Sequence, residues 1–129
     1  MLLKDKTAVV TGCNKGIGKK ILEVFSANGA AVFACVRNID EQFESFINEL
    51  KQKFNNQIIP IQFDLNDEKT IKESADKIIA SNKPIDILVN NAATIHTSIF
   101  QMTSGKKLKE LFEVNFFSQT IFTQYILKS

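Results

Sequence analysis

The sequence predicts an α/β protein built around a doubly wound parallel sheet. Four short apolar runs alternate along the chain with four longer segments whose apolar residues recur at helical spacing. The runs are apolar throughout, which is typical of parallel strands that are covered on both faces. Right-handed crossovers between such strands predict the strand order 3-2-1-4.

The four predicted strands rest on runs of β-branched and other apolar residues. They cover residues 7–10, 30–36, 58–63 and 85–89. Pro60 lies inside the third run and weakens that prediction, because proline cannot donate a hydrogen bond to a neighbouring strand.

The predicted helices lie between and after these runs. They cover residues 17–28, 39–54, about 67 to 81, and about 105 to the end of the chain. Gly29 is the predicted C-terminal cap of the first helix. Short polar residues precede the later helices and are predicted N-caps: Asp40, Asn66 or Asp67, and Thr103 or Ser104.

Length and composition indicate one globular domain over residues 1–129, with 44% hydrophobic and 23% charged residues. Sixteen basic and fourteen acidic residues leave a net charge of +2, which is too weak to indicate nucleic-acid binding. The sequence contains no long apolar run and no signal-peptide pattern, so we expect neither a membrane span nor secretion. Cys13 and Cys35 are then expected to be reduced thiols of a cytoplasmic protein. With one histidine they cannot make a four-ligand structural zinc site without a carboxylate, and no metal is expected.

Three of the five glycines occupy one turn, Thr11 to Gly18, between the first predicted strand and the first predicted helix. A tight turn from strand to helix favours residues without a Cβ, and a diphosphate binds close to bare backbone at a helix N-terminus. The spacing Gly-x-x-x-Gly-x-Gly is neither Gly-x-Gly-x-x-Gly nor a P-loop. The alternative is a purely structural turn. The candidate diphosphate-binding residues are Gly12, Asn14, Lys15, Gly16, Ile17 and Gly18.

Together with three later motifs, this turn resembles the classical short-chain dehydrogenase/reductase family, and within it the 3-oxoacyl-acyl-carrier-protein reductases. The motifs are Asp64-Leu65 after the third predicted strand, Asn90-Asn91-Ala92-Ala93 after the fourth, and Asn115 in the last helix. The resemblance covers the whole chain and matches the N-terminal portion of the family. It implies a Rossmann-type fold. Ala93 departs from the family pattern, which has glycine there.

The resemblance also implies roles for these residues. Asp64 and Leu65 would flank the adenine of a dinucleotide, although Asp64 could instead only help to start the third helix. Asn90 and Ala92 would lie near the ribose and tie the central strand to its neighbour, although the role of Asn90 could be purely structural. Asn115 would hold a proton-relay water and is the one catalytic candidate.

The end of the second predicted strand favours NADP over NAD. Val36 stands where an NAD-selective acid would be, Arg37 follows it, and Lys15 lies in the glycine turn on the same side. An arginine fork suits a 2′-phosphate. The alternative is that Arg37 and Lys15 are ordinary surface residues.

Members of this family reduce carbonyl groups with a Tyr-x-x-x-Lys pair and a serine. Tyr125, the only tyrosine, has lysine at +3 and is interpreted as a packing residue, and Ser129 follows Asn115 too closely to be the family's serine. We therefore expect the cofactor-binding half of an NADPH-dependent oxidoreductase that acts on a small carbonyl or alcohol, inactive by itself. The alternative is a non-catalytic dinucleotide-binding or interaction module. Apolar residues surround the last helix and predict self-association through residues 105–128. The alternative is an apolar patch that would face the other half of the family's fold.

Overall fold

Four parallel strands form one sheet in the order β3-β2-β1-β4 in the computed structural model, which describes residues 1–128. The strands are β1 (Thr7–Thr11), β2 (Ala31–Val36), β3 (Ile58–Gln62) and β4 (Ile87–Val89). In the central register, Val9 pairs with Phe33 on one side and Leu88 on the other. The predicted order is confirmed, and Pro60 is tolerated because β3 is an edge strand.

Three helices connect the strands: α1 (Gly16–Ala27), α2 (Glu41–Phe54) and α3 (Glu68–Ala80). The carboxylate of Asp40 accepts a hydrogen bond from the Phe43 amide at 2.8 Å and caps α2. Asp67, rather than Asn66, caps α3. Gly29 follows α1 with φ +91°, as expected for a residue that ends a helix in the left-handed region.

The last predicted helix runs without a break over residues 105–127, but it is not α-helical throughout, and that part of the expectation is corrected. A 3-10 turn (Phe100–Met102) precedes α4 (Gly105–Phe112), which is capped by Ser104 rather than Thr103. A π-helical segment (Glu113–Ser118) then leads into α5 (Gln119–Leu127). The predicted end at Ser129 lies outside the described residues.

The sequence spacing in this region explains the π-helical segment. The buried positions recur every four residues, at Val114, Ser118, Phe122 and Ile126. In a regular α-helix of 3.6 residues per turn, a row of spacing four drifts around the axis by about 40° at each step. A wider π turn rotates the row back and keeps these side chains on the sheet.

Each face of the sheet carries its own hydrophobic core. Strand residues alternate between the two, so that Val10 faces α1 and α2 whereas Val9 faces α3 and α5. On the second face Phe122 is fully buried, with its ring centroid 4.7 Å from that of Phe63. The expected strands with two covered faces are confirmed. Within residues 1–128, no helix is both long and apolar enough to cross a membrane.

Candidate functional site

The site residues predicted from the sequence converge at one end of the sheet, where the strands terminate. Since all four strands are parallel, the segments that follow their carboxyl ends meet there. The glycine turn follows β1, Arg37 follows β2, Asp64 lies beyond β3, and residues 90–94 follow β4.

Two of the glycines in the turn are required by close packing. Gly12 has φ +70°, and a Cβ built on it would lie 3.0 Å from both Ala92 Cα and Asn91 Nδ2. A Cβ on Gly18 would collide with the Gly12 carbonyl oxygen and the Asn91 amide. These glycines let the turn lie directly against the segment after β4.

The third glycine, Gly16, faces open space instead. It has φ +57°, and no atom lies within 4 Å of the Cβ position. No side chain caps α1, and its first turn contains no acidic residue. Asn14 and Lys15 are exposed, and so is 74% of Ile17. Bare backbone at an uncapped helix N-terminus can accommodate an anion such as a diphosphate.

The two thiols form part of the floor of this site and are not reactive groups. Cys13 is buried and donates a hydrogen bond to the Val10 carbonyl at 3.0 Å. Burial raises the pKa of the Cys13 thiol to about 12. Burial also raises the pKa of Cys35, which faces the opposite core. Neither sulfur is therefore a nucleophile near neutral pH.

Arg37 and Asp64 meet above β2 and β3. Arg37 Nε lies 3.9 Å from Asp64 Oδ2, and 70% of the Arg37 side chain is exposed. The Asp64 carboxylate also accepts a hydrogen bond from the Asn66 amide at 2.9 Å, so Asp64 does help to organise the start of α3. Leu65 is buried in the core beside it.

The segment after β4 is tied to β1 mainly by Thr11 and Asn91, to which the sequence analysis had assigned no role. Asn91 Nδ2 donates to the carbonyl oxygens of Thr11 and Gly12, both at 3.2 Å. The buried Thr11 hydroxyl accepts the amides of Asn91 at 3.1 Å and Ala92 at 2.9 Å. Asn90 donates instead to the Thr123 hydroxyl, which fits the structural alternative for this residue, and the positions of Asn90 and Ala92 near a ribose stay predictions.

Asn115 lies in the π-helical segment and holds the same stretch of chain from the other side. Its Oδ1 accepts the Thr94 amide and its Nδ2 donates to the Thr94 carbonyl, each at 2.8 Å. Both ends of the side chain therefore bind protein backbone. The proton-relay role of Asn115 stays a prediction.

Tyr125 is not brought to this site. It is half-buried on α5 against α3, and the Lys128 ammonium lies 5.4 Å from its ring centroid. This arrangement confirms the interpretation of Tyr125 as a packing residue. Ser129 lies outside the described residues.

A glycine turn between the first strand and an uncapped helix, in a sheet of order 3-2-1-4, defines a Rossmann-type fold. L-sorbose reductase from Gluconobacter frateurii, whose structure was solved with NADPH and L-sorbose, has this fold. It superimposes with a TM-score of 0.89 at 24% identity, over 98% of this chain and 48% of that one.

The family follows from a profile described as short chain dehydrogenase, which matches residues 6–129. The chain belongs to the short-chain dehydrogenase family. A short-chain dehydrogenase/reductase of Armillaria gallica is 36% identical over 127 residues, which are 97% of this chain and 39% of the relative. An NADPH-dependent 3-dehydrocapnine reductase of Ornithobacterium rhinotracheale is 32% identical over 93% of this chain and 41% of its own length. The chain thus spans about two fifths of the length of these relatives.

Proposed function

We propose that this chain is the cofactor-binding portion of an oxidoreductase that transfers hydride between NADPH and a ketone or alcohol. The observation that carries the proposal is the open space beside Gly16 at the uncapped start of α1. The family supports the reaction class, and two of the relatives above are named for NADPH or were solved with it.

Within this proposal the diphosphate binds the backbone between Gly12 and Gly18. Asn14 and Lys15 line the turn from outside, and the Ile17 side chain covers the ligand. The helix N-terminus supplies partial positive charge where the diphosphate carries negative charge. The bound nicotinamide supplies the hydride.

The choice of NADP over NAD depends on the carboxyl end of β2. Val36 is buried and supplies no carboxylate, whereas Arg37 is exposed and pairs only loosely with Asp64. An exposed ion pair of this kind contributes about 1 kcal/mol or less. A 2′-phosphate can therefore recruit the Arg37 guanidinium, with Lys15 as a second positive charge. The adenine contacts of Asp64 and Leu65 remain predictions.

Binding of NADPH and NADH by the wild-type chain, followed by nicotinamide fluorescence, tests this proposal. We expect NADPH to bind more tightly. Arg37→Asp should lower the ratio of NADPH affinity to NADH affinity by about tenfold or more, because it places a negative charge beside the 2′-phosphate.

Lys4→Asp provides the matched control for Arg37→Asp. It makes the same charge change at an exposed residue before β1, at the opposite end of the sheet, where the strands begin. We expect it to leave the affinity ratio unchanged. An unchanged ratio in Arg37→Asp, or an equal fall in Lys4→Asp, would contradict the NADP assignment.

The chemistry of the whole protein needs residues beyond those placed at this site. Asn115 orders the Thr94 backbone beside the cofactor site, but the sequence contains no tyrosine with lysine at +4. We expect the chain alone to bind cofactor without oxidising NADPH in the presence of small ketones.

Self-association through residues 105–128 also remains a prediction. Phe112, Phe116 and Phe117 are exposed, and the last two rings contact edge to face. Large exposed aromatic groups favour contact with another apolar surface. Sedimentation velocity at several protein concentrations would measure the self-association of the chain. A cytoplasmic location also stays a prediction.

A further inference from the structure

Three polar side chains along one row of the last helical region bind one extended segment of chain. Thr123 accepts a hydrogen bond from Asn90 at 3.1 Å, Gln119 donates to the Ala92 carbonyl at 2.6 Å, and Asn115 binds both backbone groups of Thr94 at 2.8 Å. We call these contacts the amide ladder. They run antiparallel: the segment proceeds from residue 90 to 94 while the helix proceeds from 123 back to 115.

The ladder works because the two spacings match. Alternate residues of an extended chain are about 6.6 Å apart. Residues four apart on a helix rise about 6 Å along its axis. The π-helical segment keeps the row of spacing four straight, as it does for the buried row beside it. Each second residue of the segment therefore meets a polar side chain.

The opposite side of the segment is held by β1. Asn91 and the Ala92 amide bind Thr11, while the Ala92 carbonyl binds Gln119. Both backbone groups of Ala92 are thus occupied, and its peptide planes cannot rotate freely. Among the contacts of residues 1–128, neither backbone group of Ala93 has a protein partner. Ala93 is exposed between two anchored neighbours.

We infer that Gln119 and Thr123 are positioning residues that hold the backbone of Asn90–Thr94 in place for the nicotinamide half of the dinucleotide. This inference rests on the proposed function. The diphosphate site lies at the start of α1, and Arg37 draws the adenosine half toward β2. The other half must then extend over β4, where the amide ladder lies.

Two substitutions break single contacts of the ladder. Gln119→Met removes the amide that binds Ala92 and keeps the side-chain length, and Thr123→Val removes the hydroxyl that binds Asn90 and keeps the shape. The controls make the same chemical changes off the ladder. Gln124→Met alters an exposed residue of α5, and Thr120→Val alters a hydroxyl that binds only its own helix.

Two ligands separate the halves of the site: NADPH and adenosine 2′,5′-bisphosphate, which lacks the nicotinamide half. We expect Gln119→Met to weaken NADPH binding by about fivefold to tenfold and Thr123→Val by less, because each loses one hydrogen bond to the segment. Thr123→Val also loses the bond to the Gln119 carbonyl within the helix, and Thr120→Val controls for a loss of that kind. Adenosine 2′,5′-bisphosphate should bind all variants equally. Equal losses for both ligands, or no loss for either in Gln119→Met, would overturn the inference.

Amide hydrogen exchange gives a readout that does not need the cofactor. The Thr94 amide should exchange at least about tenfold faster in Gln119→Met than in Gln124→Met, because a neighbouring anchor is lost. Unchanged exchange overturns the positioning role. If wild-type protein binds neither ligand, the proposed function falls, and the exchange measurement alone decides whether Gln119 holds this segment.

Discussion

Helix α1 begins differently from α2, α3 and α4. Asp40, Asp67 and Ser104 each cap their helix with a side-chain oxygen that accepts a backbone amide. At the equivalent position of α1 stands Lys15, which has extended backbone angles suited to a cap but makes no side-chain cap bond. Of these four helix starts, three are capped by a side chain and the start of α1 is not.

The difference matters because a cap stabilises a helix start, whereas an uncapped start leaves its backbone amides available to an anion. A capping side chain typically contributes about 1 kcal/mol to stability. The start of α1 forgoes that contribution and places Gly16 beside open space. The same turn is nevertheless closely packed, since Gly12 lies against Asn91 and Ala92 and Gly18 lies against Asn91. The turn is closely packed at Gly12 and Gly18, and it has free space at Gly16, where an anion would bind.

The largest effect should come from filling the packed side of the turn. Gly18→Ala would drive a Cβ into the Gly12 carbonyl oxygen, which is backbone and cannot move aside. Although alanine favours a helix over glycine, we expect a loss of about 3 kcal/mol or more in the free energy of unfolding, measured by urea denaturation.

Gly105→Ala is the control for that substitution. Gly105 begins α4, and no atom lies within 4 Å of its Cβ position. We expect unchanged or slightly increased stability. If both alanines were tolerated alike, the close packing of α1 against residues 91 and 92 would not be what requires glycine at 18.

A second prediction gives α1 the cap that it lacks. Lys15→Asp should stabilise the free protein by about 1 kcal/mol, since aspartate suits both the backbone angles and the helix dipole. The same carboxylate would repel a diphosphate and should weaken NADPH binding by about tenfold or more. Thermal unfolding and fluorescence titration measure the two effects.

Asp40→Ala supplies the opposite case. It removes the cap of α2 and should cost about 1 kcal/mol of stability. Opposite signs of the stability changes at Lys15 and Asp40 would support the contrast between the helix starts. Tighter NADPH binding by Lys15→Asp would contradict a diphosphate site there.

Sequence reasoning succeeded where the signal is local. A short polar residue before a helix identifies Asp40 as a cap, and φ-permissive glycines identify the turn. It missed the tie between Thr11 and Asn91, because those residues lie 80 positions apart and each is unremarkable alone. The tie depends on β4 lying beside β1.

The last helical region shows a different limit. Its apolar residues surround the helix and hide the row of spacing four that requires a π turn. The polar residues Asn115 and Gln119 are also four positions apart, and this spacing indicates a binding row once the segment that they contact is known. The sequence shows the row but not the chain that it binds.

The smallest effect under physiological conditions concerns Cys13 beneath the turn, because the pH dependence that this thiol produces appears only in alkaline solution. The folded protein raises the pKa of Cys13 to about 12 by burial, so the thiol keeps its proton more strongly when folded. The contribution to stability is therefore complete below the unfolded thiol pKa near 9 and is lost as the pH rises toward 12. Burial shifts the pKa of Cys35 in the same direction, so Cys13→Ala should reduce the slope of stability against pH above 9 without abolishing it.

Thiol labelling tests the same difference between the buried and the exposed side of the turn. In Asn14→Cys, the new thiol at an exposed position should react quickly with a thiol reagent at pH 8, and bound NADPH should protect it. The native thiols are buried and should not react until the chain unfolds. Rapid labelling of Cys13 in the folded protein would show that the floor of the turn is as open as its rim.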